Sequence, residues 1–390
     1  MDSVLTAINS YTLPILWGWP VLLAILTAGI FYTVLLKGFQ IWRIGLWMRY
    51  TVGALFRRRE KQTARGITPF QSVSTALAGS IGTGNIVGVA TAITMGGPGA
   101  LFWMWVSAFF GMMTIYAETV LGLLFRKKDS HGRWIGGIRR IAAVTETIVP
   151  FMSLLYLAAG IIVLAVHWSN ILPAFGQIFA GAFSVQGAVG GIGGYTILTA
   201  MKSGISRGIF TNEAGLGSSV MAHAAADTKE PCEQGMWAIF QVFVDTIVVC
   251  TLTGLCILSS GVLSTGADGG ALSSLAFESV FGVFGKHTMT ICVIFFAFAT
   301  MLGWSYYGEC AVGYLFAGSP FFNKHMKIVI LIYRLLYAAS TLAGSTLDLY
   351  VVWDFCGNFN GFMAIPNLYA LFRLSPKVRQ ETKRYLSQKT

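Results

Sequence analysis

A stretch of the chain near residue 80 carries residue types that could bind a small polar molecule or an ion. It runs from Ala76 to Ala92, ALAGSIGTGNIVGVATA, and is apolar enough to enter a lipid bilayer. Its glycines and its hydroxyl and amide side chains are Gly79, Gly82, Gly84, Gly88, Ser80, Thr83 and Asn85. Glycine costs about 1 kcal/mol against alanine inside a helix, so these glycines disfavour a continuous helix. A membrane tolerates a broken helix only where the backbone lines a cavity or lies buried in protein. We therefore predict a discontinuous transmembrane helix whose freed amide and carbonyl groups bind a small polar ligand.

A second glycine cluster, GAVGGIGG at 187–194, lies at the start of another apolar stretch. Two glycine-interrupted segments in separate parts of one hydrophobic chain are typical of the binding site of a secondary transporter. The alternative is close packing of helices through small residues. One cluster alone would favour packing, whereas the two together favour a binding site.

The elements that must position these residues are membrane helices. Of the 390 residues, 55% are hydrophobic and only 11% are charged, whereas a soluble domain carries about 25% charged residues. Stretches of roughly twenty apolar residues predict membrane spans. Nine such spans are predicted, at 17–36, 69–93, 99–125, 145–166, 186–206, 236–258, 288–316, 327–346 and 351–372. The composition therefore predicts an all-α polytopic membrane protein.

The distribution of charge predicts the orientation of these spans. The formal net charge is +11, but eight of the 27 Lys and Arg residues fall in 37–66 and six in 126–140. Basic residues in alternate loops follow the positive-inside pattern, which argues for a bilayer and against a nucleic-acid partner. The N-terminus is then outside and the C-terminus cytoplasmic. The connections 167–185 and 259–285 contain no Lys or Arg, and we expect them to be outward loops.

Two segments are predicted to lie on the cytoplasmic side. Residues 37–66 form a basic loop in which Trp and Leu alternate with arginines. It could be an amphipathic helix on the anionic inner leaflet or a solvated loop, and the sequence does not decide between them. Residues 374–390 are expected to be a short soluble tail.

Few ionisable residues fall within the predicted spans. Such groups are costly at the bilayer centre and mark function or buried pairing. Glu118 lies close to the basic end of its span, which favours a structural role, whereas Asp245 lies deeper and could belong to a functional network. No HExxH, CxxC or Walker sequence occurs, so no enzymatic activity, catalytic metal or other cofactor is expected.

Several stretches resemble the alanine or glycine:cation symporter family of amino acid carriers. They are TALAGSIGTGNIVGVATAI at 75–93, GGPGALFWMWVSAFFGMMTIYAETVLGLLFR at 96–126, RGIFTNEAGLGSSVMAHAAA at 207–226 and FAFATMLGWSYYGE at 296–309. The resemblance implies one transporter domain over residues 1–390. It also implies a leucine-transporter-type fold of two inverted five-helix repeats after one extra helix. Such carriers are multi-pass proteins of the bacterial inner membrane, and association with further copies of the chain stays open.

The resemblance also implies a set of site residues. Thr83 and Gly84 would supply amides to the substrate carboxylate, with Asn85 beside them. The carbonyl groups of Ala78 and Ile81 would bind a sodium ion, together with Thr300. The substrate ammonium group would lie against the second glycine cluster, at Gly190, Gly191 and Gly194.

The chain departs from the family pattern at one point in particular. His131–Trp134 is followed directly by Ile135–Arg140, where family members have two further membrane helices. About sixty residues are therefore expected to be missing near Trp134–Ile135, which leaves the first repeat incomplete. One missing helix would carry a Gly-Asn-x-x-Gln type segment that reaches the substrate. Smaller departures are Ala299, where a second sodium-binding hydroxyl is expected, and Ile192, where a Phe often lines the site.

Three functions follow as hypotheses. The first is a sodium-coupled symporter of alanine or glycine that works by alternating access. The second is an internally deleted, transport-impaired membrane protein of the same ancestry, in which Glu118, Asp245 or Ser80 would lose their partners. The third, an intramembrane enzyme, lacks a nucleophile–base pair.

Overall fold

The computed structural model describes residues 2–56, 66–126, 139–183, 196–316 and 320–389, and these residues are almost entirely helical. The α-helices are α1 (Asp2–Leu16), α2 (Trp19–Leu35), α3 (Phe39–Trp42), α4 (Ile44–Tyr50), α5 (Val52–Leu55), α6 (Pro69–Ser80), α7 (Val89–Gly96), α8 (Gly99–Phe125), α9 (Arg139–Val166), α10 (Ile171–Phe183), α11 (Ile197–Asn212), α12 (Val220–His223), α13 (Pro231–Val242), α14 (Thr251–Ser259), α15 (Gly269–Phe281), α16 (Val283–Phe316), α17 (Pro320–Gly344) and α18 (Leu349–Ser387). Two π-helical segments, Gly84–Gly88 and Phe243–Cys250, precede α7 and α14.

Within the described ranges, six helical stretches are long and apolar enough to cross a membrane. They are Val4–Leu35, Gly99–Phe125, Arg140–Val166, Pro231–Ser259, Val283–Phe316 and Lys324–Gly344. The bent pair Pro69–Ser80 and Gly84–Gly96 makes a seventh if it is counted as one span. The chain is therefore a polytopic membrane protein. The number of nine spans stays a prediction, because 186–206 begins outside the described residues and 351–372 lies within the longer helix α18.

The first half of the predicted broken helix, α6, begins at a strong start signal. Pro69 occupies the first helical position, where its missing amide hydrogen costs nothing. The Thr68 hydroxyl accepts a hydrogen bond from the Gln71 amide at 3.1 Å, and the Gln71 side chain accepts one from the Thr68 amide at 3.1 Å. This reciprocal capping box fixes where α6 begins.

Helix α8 lies at the centre of the molecule and packs against α2, α11 and α13. Small residues allow the close approach. A Cβ at Gly204 of α11 would overlap the Ala100 carbonyl of α8, and one at Gly235 of α13 would lie 2.7 Å from the Tyr116 ring. Interfaces of small residues are the usual basis of helix packing in membranes.

Helix α9 follows α8 in the chain, across residues that the structure leaves undescribed, and packs directly on α6. Gln71 of α6 donates to Glu146 at 2.7 Å, and the hydroxyl groups of Thr75 and Thr145 are 3.0 Å apart. The shortened first half of the chain therefore still covers the first half of the broken helix.

The structure corrects the predicted outward loops. Residues 167–185 contain α10, and residues 259–285 contain α15. Helix α10 has only 13 residues, which is too short to span a bilayer alone. Helix α10 ends before the segment that carries the second glycine cluster, and α11 begins after it.

The two predicted cytoplasmic segments also form helices. Residues 39–55 form α3, α4 and α5, with Trp47 buried and Trp42 80% exposed. The C-terminal residues continue α18, in which Val378, Thr382 and Tyr385 are buried. The expected short tail is therefore the packed end of the long helix α18.

Candidate functional site

The predicted break in the first glycine-rich helix is present. Helix α6 ends at Ser80, the next helical segment begins at Gly84, and the two axes differ by 51°. The glycines at the break allow close approach as well as bending. A Cβ at Gly82 would overlap the Thr300 hydroxyl, and a Cβ at Gly84 would lie 3.0 Å from the Thr211 hydroxyl. The break is therefore closely surrounded by α16 and α11.

Asn85 holds the break in shape. Its Oδ1 accepts a hydrogen bond from the Gly82 amide at 2.8 Å, and its Nδ2 donates to Asp245 Oδ1 at 2.9 Å and to the Asp245 carbonyl at 3.0 Å. The side chain is fully buried. Because Nδ2 donates to two oxygens of Asp245 and also lies 3.4 Å from Cys250 Sγ, the donor capacity of Asn85 is used within the protein. Its predicted contact with the substrate is not tested by this arrangement.

Thr83 and Gly84 lie at the start of the second half-helix. Thr83 is half-buried and precedes the first helical residue, Gly84, which is buried. The amide groups of the first helical turn have no partner inside the helix and carry the positive end of its dipole. Such a terminus attracts an anion such as a carboxylate. The geometry agrees with the predicted role of these two amides, which stays a prediction.

Of the predicted sodium ligands, Ala78 lies in the last turn of α6 and Ile81 directly follows that helix. The Gly82 amide donates to Asn85, so it does not make the helical hydrogen bond to the Ala78 carbonyl. Thr300 of α16 faces Gly82, and its buried hydroxyl oxygen has no hydrogen-bond partner among the described residues. A buried unpaired oxygen beside backbone carbonyls is the kind of donor set that a hard cation prefers. Ala299 is buried and offers no second hydroxyl.

Asp245 connects the break to the turn that follows α11 through a series of hydrogen bonds. Its Oδ2 accepts from the Thr246 hydroxyl at 2.8 Å, and Thr246 accepts from Asn212 Nδ2 at 3.3 Å. Asn212 Oδ1 in turn accepts from the Ala214 amide at 3.1 Å. The chain of hydrogen bonds therefore runs from the broken helix to the NEAG sequence.

Glu118 has the structural role that its position favoured. Its Oε1 accepts from the Gly215 amide at 2.9 Å and from Asn367 Nδ2 at 2.6 Å. Asn367 Nδ2 also donates to the Gly215 carbonyl at 2.9 Å. The carboxylate of α8 thus holds the turn after α11 against α18.

Glu213, the acidic residue of the NEAG sequence, lies in the same turn. It is buried in a left-handed backbone conformation with φ 60°, and its Oε2 accepts from the Ser218 hydroxyl at 2.7 Å. Burial raises the pKa of Glu213 to about 8, and the nearby carboxylates of Asp245 and Glu118 add to the rise.

The second predicted break, with Gly190, Gly191, Gly194 and Ile192, lies outside the described residues. Its position is bounded by the helices on either side, because α10 ends at Phe183 and α11 begins at Ile197. Helix α11 packs directly against α7, the second half of the first broken helix. A Cβ at Gly96 of α7 would lie 2.8 Å from Ser203 Cβ of α11. The helices that flank the two glycine clusters are therefore neighbours.

Comparison with known proteins identifies the family. The family described as the sodium:alanine symporter family matches residues 1–137 and 134–390 of the chain. This chain belongs to the sodium:alanine symporter family. The sodium/alanine symporter AgcS of Methanococcus maripaludis is 35% identical over 98% of this chain and 97% of its own length. An uncharacterized transporter of Haemophilus influenzae is 34% identical over 100% and 97%. The amino-acid carrier protein AlsT of Bacillus subtilis is 28% identical over 95% and 90%.

Membership of the sodium:alanine symporter family confirms that the chain is a transporter and not an enzyme. It also confirms the resemblance that the motifs indicated. The sodium ligands and substrate contacts of this particular chain are proposals and are argued below.

The family comparison also locates the internal gap. The two matched segments meet at residues 134–137, where the sequence predicted the loss of two helices. The alignment with AgcS covers 460 positions, whereas this chain has 390 residues. At least 70 positions of the alignment, 460 minus 390, therefore have no residue of this chain. Two spans with their loops need a deletion of about that size.

The second half-helix of the symporter family site has neighbours that sequence reasoning missed. A Cβ added at Gly88 would lie 3.6 Å from the Trp353 ring of α18. The Trp353 ring packs on Phe210, with ring centroids 4.6 Å apart. The Arg207 guanidinium lies 4.3 Å from the Trp353 ring centroid. Thr211 and Arg207 belong to the motif that carried the family resemblance, but nothing in that motif indicated a contact with α18.

Proposed function

We propose that this chain is a sodium-coupled symporter of a small neutral amino acid, alanine or glycine, and that it works by alternating access. One observation carries the proposal. The Thr300 hydroxyl is buried, has no hydrogen-bond partner among the described residues and faces Gly82 at the break, a few residues from the start of the second half-helix. We infer a cation site on the α6 side of this break and an anion site on its other side.

Sodium would bind on the α6 side of this break. Oxygen ligands from Ala78, Ile81 and Thr300 suit a hard cation without burying a carboxylate beside it. Bound sodium would hold α6 and α16 together and stabilise the shape of the unwound segment. Coupling then arises because sodium prepares the half-helix start that the substrate needs.

The substrate would bind on the opposite side. Its carboxylate would accept hydrogen bonds from the Thr83 and Gly84 amides, and its ammonium group would lie against the carbonyls of Gly190, Gly191 and Gly194. Thr211 and Trp353 approach Gly84 and Gly88 closely. The limited space beside these glycines supports a substrate with a small side chain. The relatives named for alanine and for amino acids in general support the substrate class.

The proposed setting is a bacterial inner membrane with the N-terminus outside and the C-terminus in the cytoplasm. The basic residues support this orientation, since they lie near the ends of helices that would share the cytoplasmic side. The described structure also supports activity over impairment. Glu118 and Asp245 both have hydrogen-bond partners, and Ser80 accepts from Gln241 at 3.4 Å.

Uptake measurements test the proposal. Labelled alanine and glycine are supplied to vesicles that hold the full chain, with an imposed sodium gradient or an equal potassium gradient. We expect uptake above background under the sodium gradient and not under the potassium gradient. Background uptake under both gradients would overturn the proposed function.

A pair of variants of α16 tests the sodium site. Thr300→Val removes the hydroxyl and keeps the shape of the side chain, and we expect it to lose most sodium-dependent uptake. Thr290→Val is the matched control, because Thr290 is exposed and its hydroxyl donates to Lys286 O in the same helix at 2.9 Å. Equal uptake by both variants would show that Thr300 binds no sodium.

A further inference from the structure

A histidine that the proposed site does not use lies fully buried between two glutamines. His223 of α12 is 0% exposed. Its Nδ1 lies 2.8 Å from Gln234 Nε2, and its Nε2 lies 2.9 Å from Gln241 Oε1. Both glutamines belong to α13 and are themselves fully buried. The imidazole therefore uses both ring nitrogens inside the protein.

The two glutamines extend this network to both ends of α6. Gln234 Nε2 also donates to the Ser72 hydroxyl at 3.1 Å, and Gln241 Nε2 donates to the Ser80 hydroxyl at 3.4 Å. The Ser72 hydroxyl donates to the Ala222 carbonyl at 3.0 Å. The two glutamines thus connect α13 to the first turn of α6 and to its last residue, and the imidazole of His223 lies between them. We call these five side chains, Ser72, Ser80, His223, Gln234 and Gln241, the His223 network.

The hydrogen bonds of the His223 network define one tautomer. Gln234 donates with its amide nitrogen, so Nδ1 of His223 accepts, and Nε2 carries the hydrogen that Gln241 Oε1 accepts. Burial lowers the pKa of His223 to about 4, so the ring is neutral at physiological pH.

The elements packed against α12 bring few charged groups to this region. From α8, Arg126 donates to the Ala224 carbonyl at 3.0 Å, and from α16, the Tyr306 hydroxyl donates to the Met221 carbonyl at 3.3 Å. Both groups bond the backbone around His223 and not its ring. The neutral ring therefore hydrogen-bonds to neutral side chains, and these hydrogen bonds hold it in one orientation.

We propose that His223 is a positioning residue for sodium binding, acting through Gln241 and Ser80 on the end of α6. Ser80 is the last residue of α6 and directly precedes Ile81, and Ala78 lies in the same final turn. A shift of Ser80 therefore moves both backbone carbonyls that are proposed to bind sodium. The inference rests on the proposed function and adds a group that does not touch the ion.

The network has two arms, and only one of them reaches the sodium site. The Gln241–Ser80 arm ends beside Ile81. The Gln234–Ser72 arm ends more than two helical turns earlier, in the first turn of α6. Loss of the first arm should change the affinity for sodium, whereas loss of the Ser72 hydroxyl should leave it unchanged.

The experiment measures alanine uptake by the full chain in vesicles over a range of sodium concentrations. Ser80→Ala and His223→Ala should each raise the half-saturating sodium concentration roughly fivefold, which is the worth of about one buried hydrogen bond. The double variant should raise the half-saturating sodium concentration no further than the larger single effect, because both changes break the same arm.

Ser72→Ala is the matched control within the His223 network and should leave the half-saturating sodium concentration unchanged. His167→Ala is the control for loss of a histidine, since its Nε2 lies 3.1 Å from the Ser279 hydroxyl in an exposed contact.

His223→Gln tests the role of the ring. A glutamine side chain can still donate to Gln241 Oε1, so we expect it to restore most of the sodium affinity that His223→Ala loses. If the variants only lost stability, their maximal uptake would fall. Their half-saturating sodium concentrations would then not show the non-additive change that we expect.

The outcomes separate the two proposals. Uptake without sodium dependence in the unaltered chain would overturn the proposed function and this inference with it. Sodium-dependent uptake whose half-saturating concentration is unchanged by His223→Ala and Ser80→Ala would overturn this inference alone. Additive effects of the two changes would also overturn it, because His223 would then not act through Ser80.

Discussion

Gly82 shows how one residue can serve both the backbone and the packing of the site. It lies at the bend, its amide donates to Asn85 Oδ1 at 2.8 Å, and its missing side chain leaves room for the Thr300 hydroxyl. The sequence predicted glycine here because glycine weakens a helix. The structure adds that α16 approaches so closely that no other residue fits.

We predict that Gly82→Ala abolishes sodium-dependent uptake and lowers the thermal stability of the protein. The added methyl group would overlap Thr300 Oγ1, and packed cores lose about 1–3 kcal/mol when extra carbon atoms are forced in. Gly313→Ala is the control. Gly313 lies on α16, the helix that carries Thr300, and a Cβ there meets nothing within 4 Å. It should keep uptake unchanged. Normal uptake by Gly82→Ala would contradict the close contact between the break and α16.

Glu213 gives a prediction about pH. Because burial raises its pKa in the folded protein to about 8, the folded state holds the proton more tightly than the unfolded state. The carboxyl of an unfolded chain titrates near pH 4.3. The contribution of Glu213 to stability is therefore fully present below that pH and is lost as the pH rises toward 8.

Thermal unfolding of the detergent-solubilised protein measured from pH 5 to pH 8.5 checks this. The midpoint of Glu213→Gln should exceed that of the unaltered chain by an amount that grows as the pH rises. Glutamine keeps the acceptor for the Ser218 hydroxyl and cannot ionise. The comparison isolates Glu213 from Glu118 and Asp245, which remain in both proteins. A difference that stays constant over this range would show that Glu213 titrates elsewhere.

At the scale of whole elements, the sequence predicted the bend of the first broken helix but not α10, the helix that precedes the second glycine cluster. Four glycines in ten residues are a strong local signal, and the observed bend of 51° confirms it. Helix α10 has 13 residues, so a search for spans of about twenty residues assigns it to a loop. Half-helices are shorter than the pattern that identifies complete spans.

The continuation of α18 into the predicted tail, residues 374–387, was missed for a different reason. Its many charges indicate a soluble tail, but the residues at 378, 382 and 385 follow the spacing of one helical face. Val378 and Tyr385 are fully buried on that face, and the Thr382 hydroxyl lies 3.1 Å from the Tyr116 hydroxyl of α8. A search for helical spacing within the charged segment would have predicted its packing.

We predict that the buried face, and not the ion pairs, holds the end of α18. Tyr385→Ala removes a buried ring that packs edge-on against Tyr50, which should cost about 3 kcal/mol of stability. Arg384→Ala breaks an ion pair with Glu230 whose two side chains are 40% and 29% exposed, which should cost less than about 1 kcal/mol. Thermal unfolding of the two variants measures both effects. A larger loss for Arg384→Ala would reverse this ranking.

At the scale of the whole molecule, the contacts that hold the site could not be predicted from sequence. Asn85 and Asp245 are 160 positions apart, and Glu118 and Asn367 are 249 positions apart. Buried polar groups must find partners, but one sequence does not say which partner each group finds. The site residues could therefore be named from their motifs, while the hydrogen bonds that position them required the fold.

The internal gap leads to a prediction about topology. Loss of two spans keeps the orientation of every later helix, whereas loss of one span would invert it. Single cysteines introduced at exposed ends of helices report this orientation through a thiol reagent that does not cross membranes. Suitable exposed sites are Gly45 before the gap and Ser264 and Ser387 after it.

With the N-terminus outside, we expect labelling of Ser264→Cys in intact cells. Gly45→Cys and Ser387→Cys should react only after the membrane is permeabilised. Four of the six native cysteines are buried, and the unaltered chain serves as the blank for the remaining two. Labelling of Gly45→Cys and Ser264→Cys from the same side would contradict the proposed orientation. Agreement between the sites before and after the gap would show that the shortened chain inserts with the orientation that its basic residues favour, because only an even loss preserves that charge pattern.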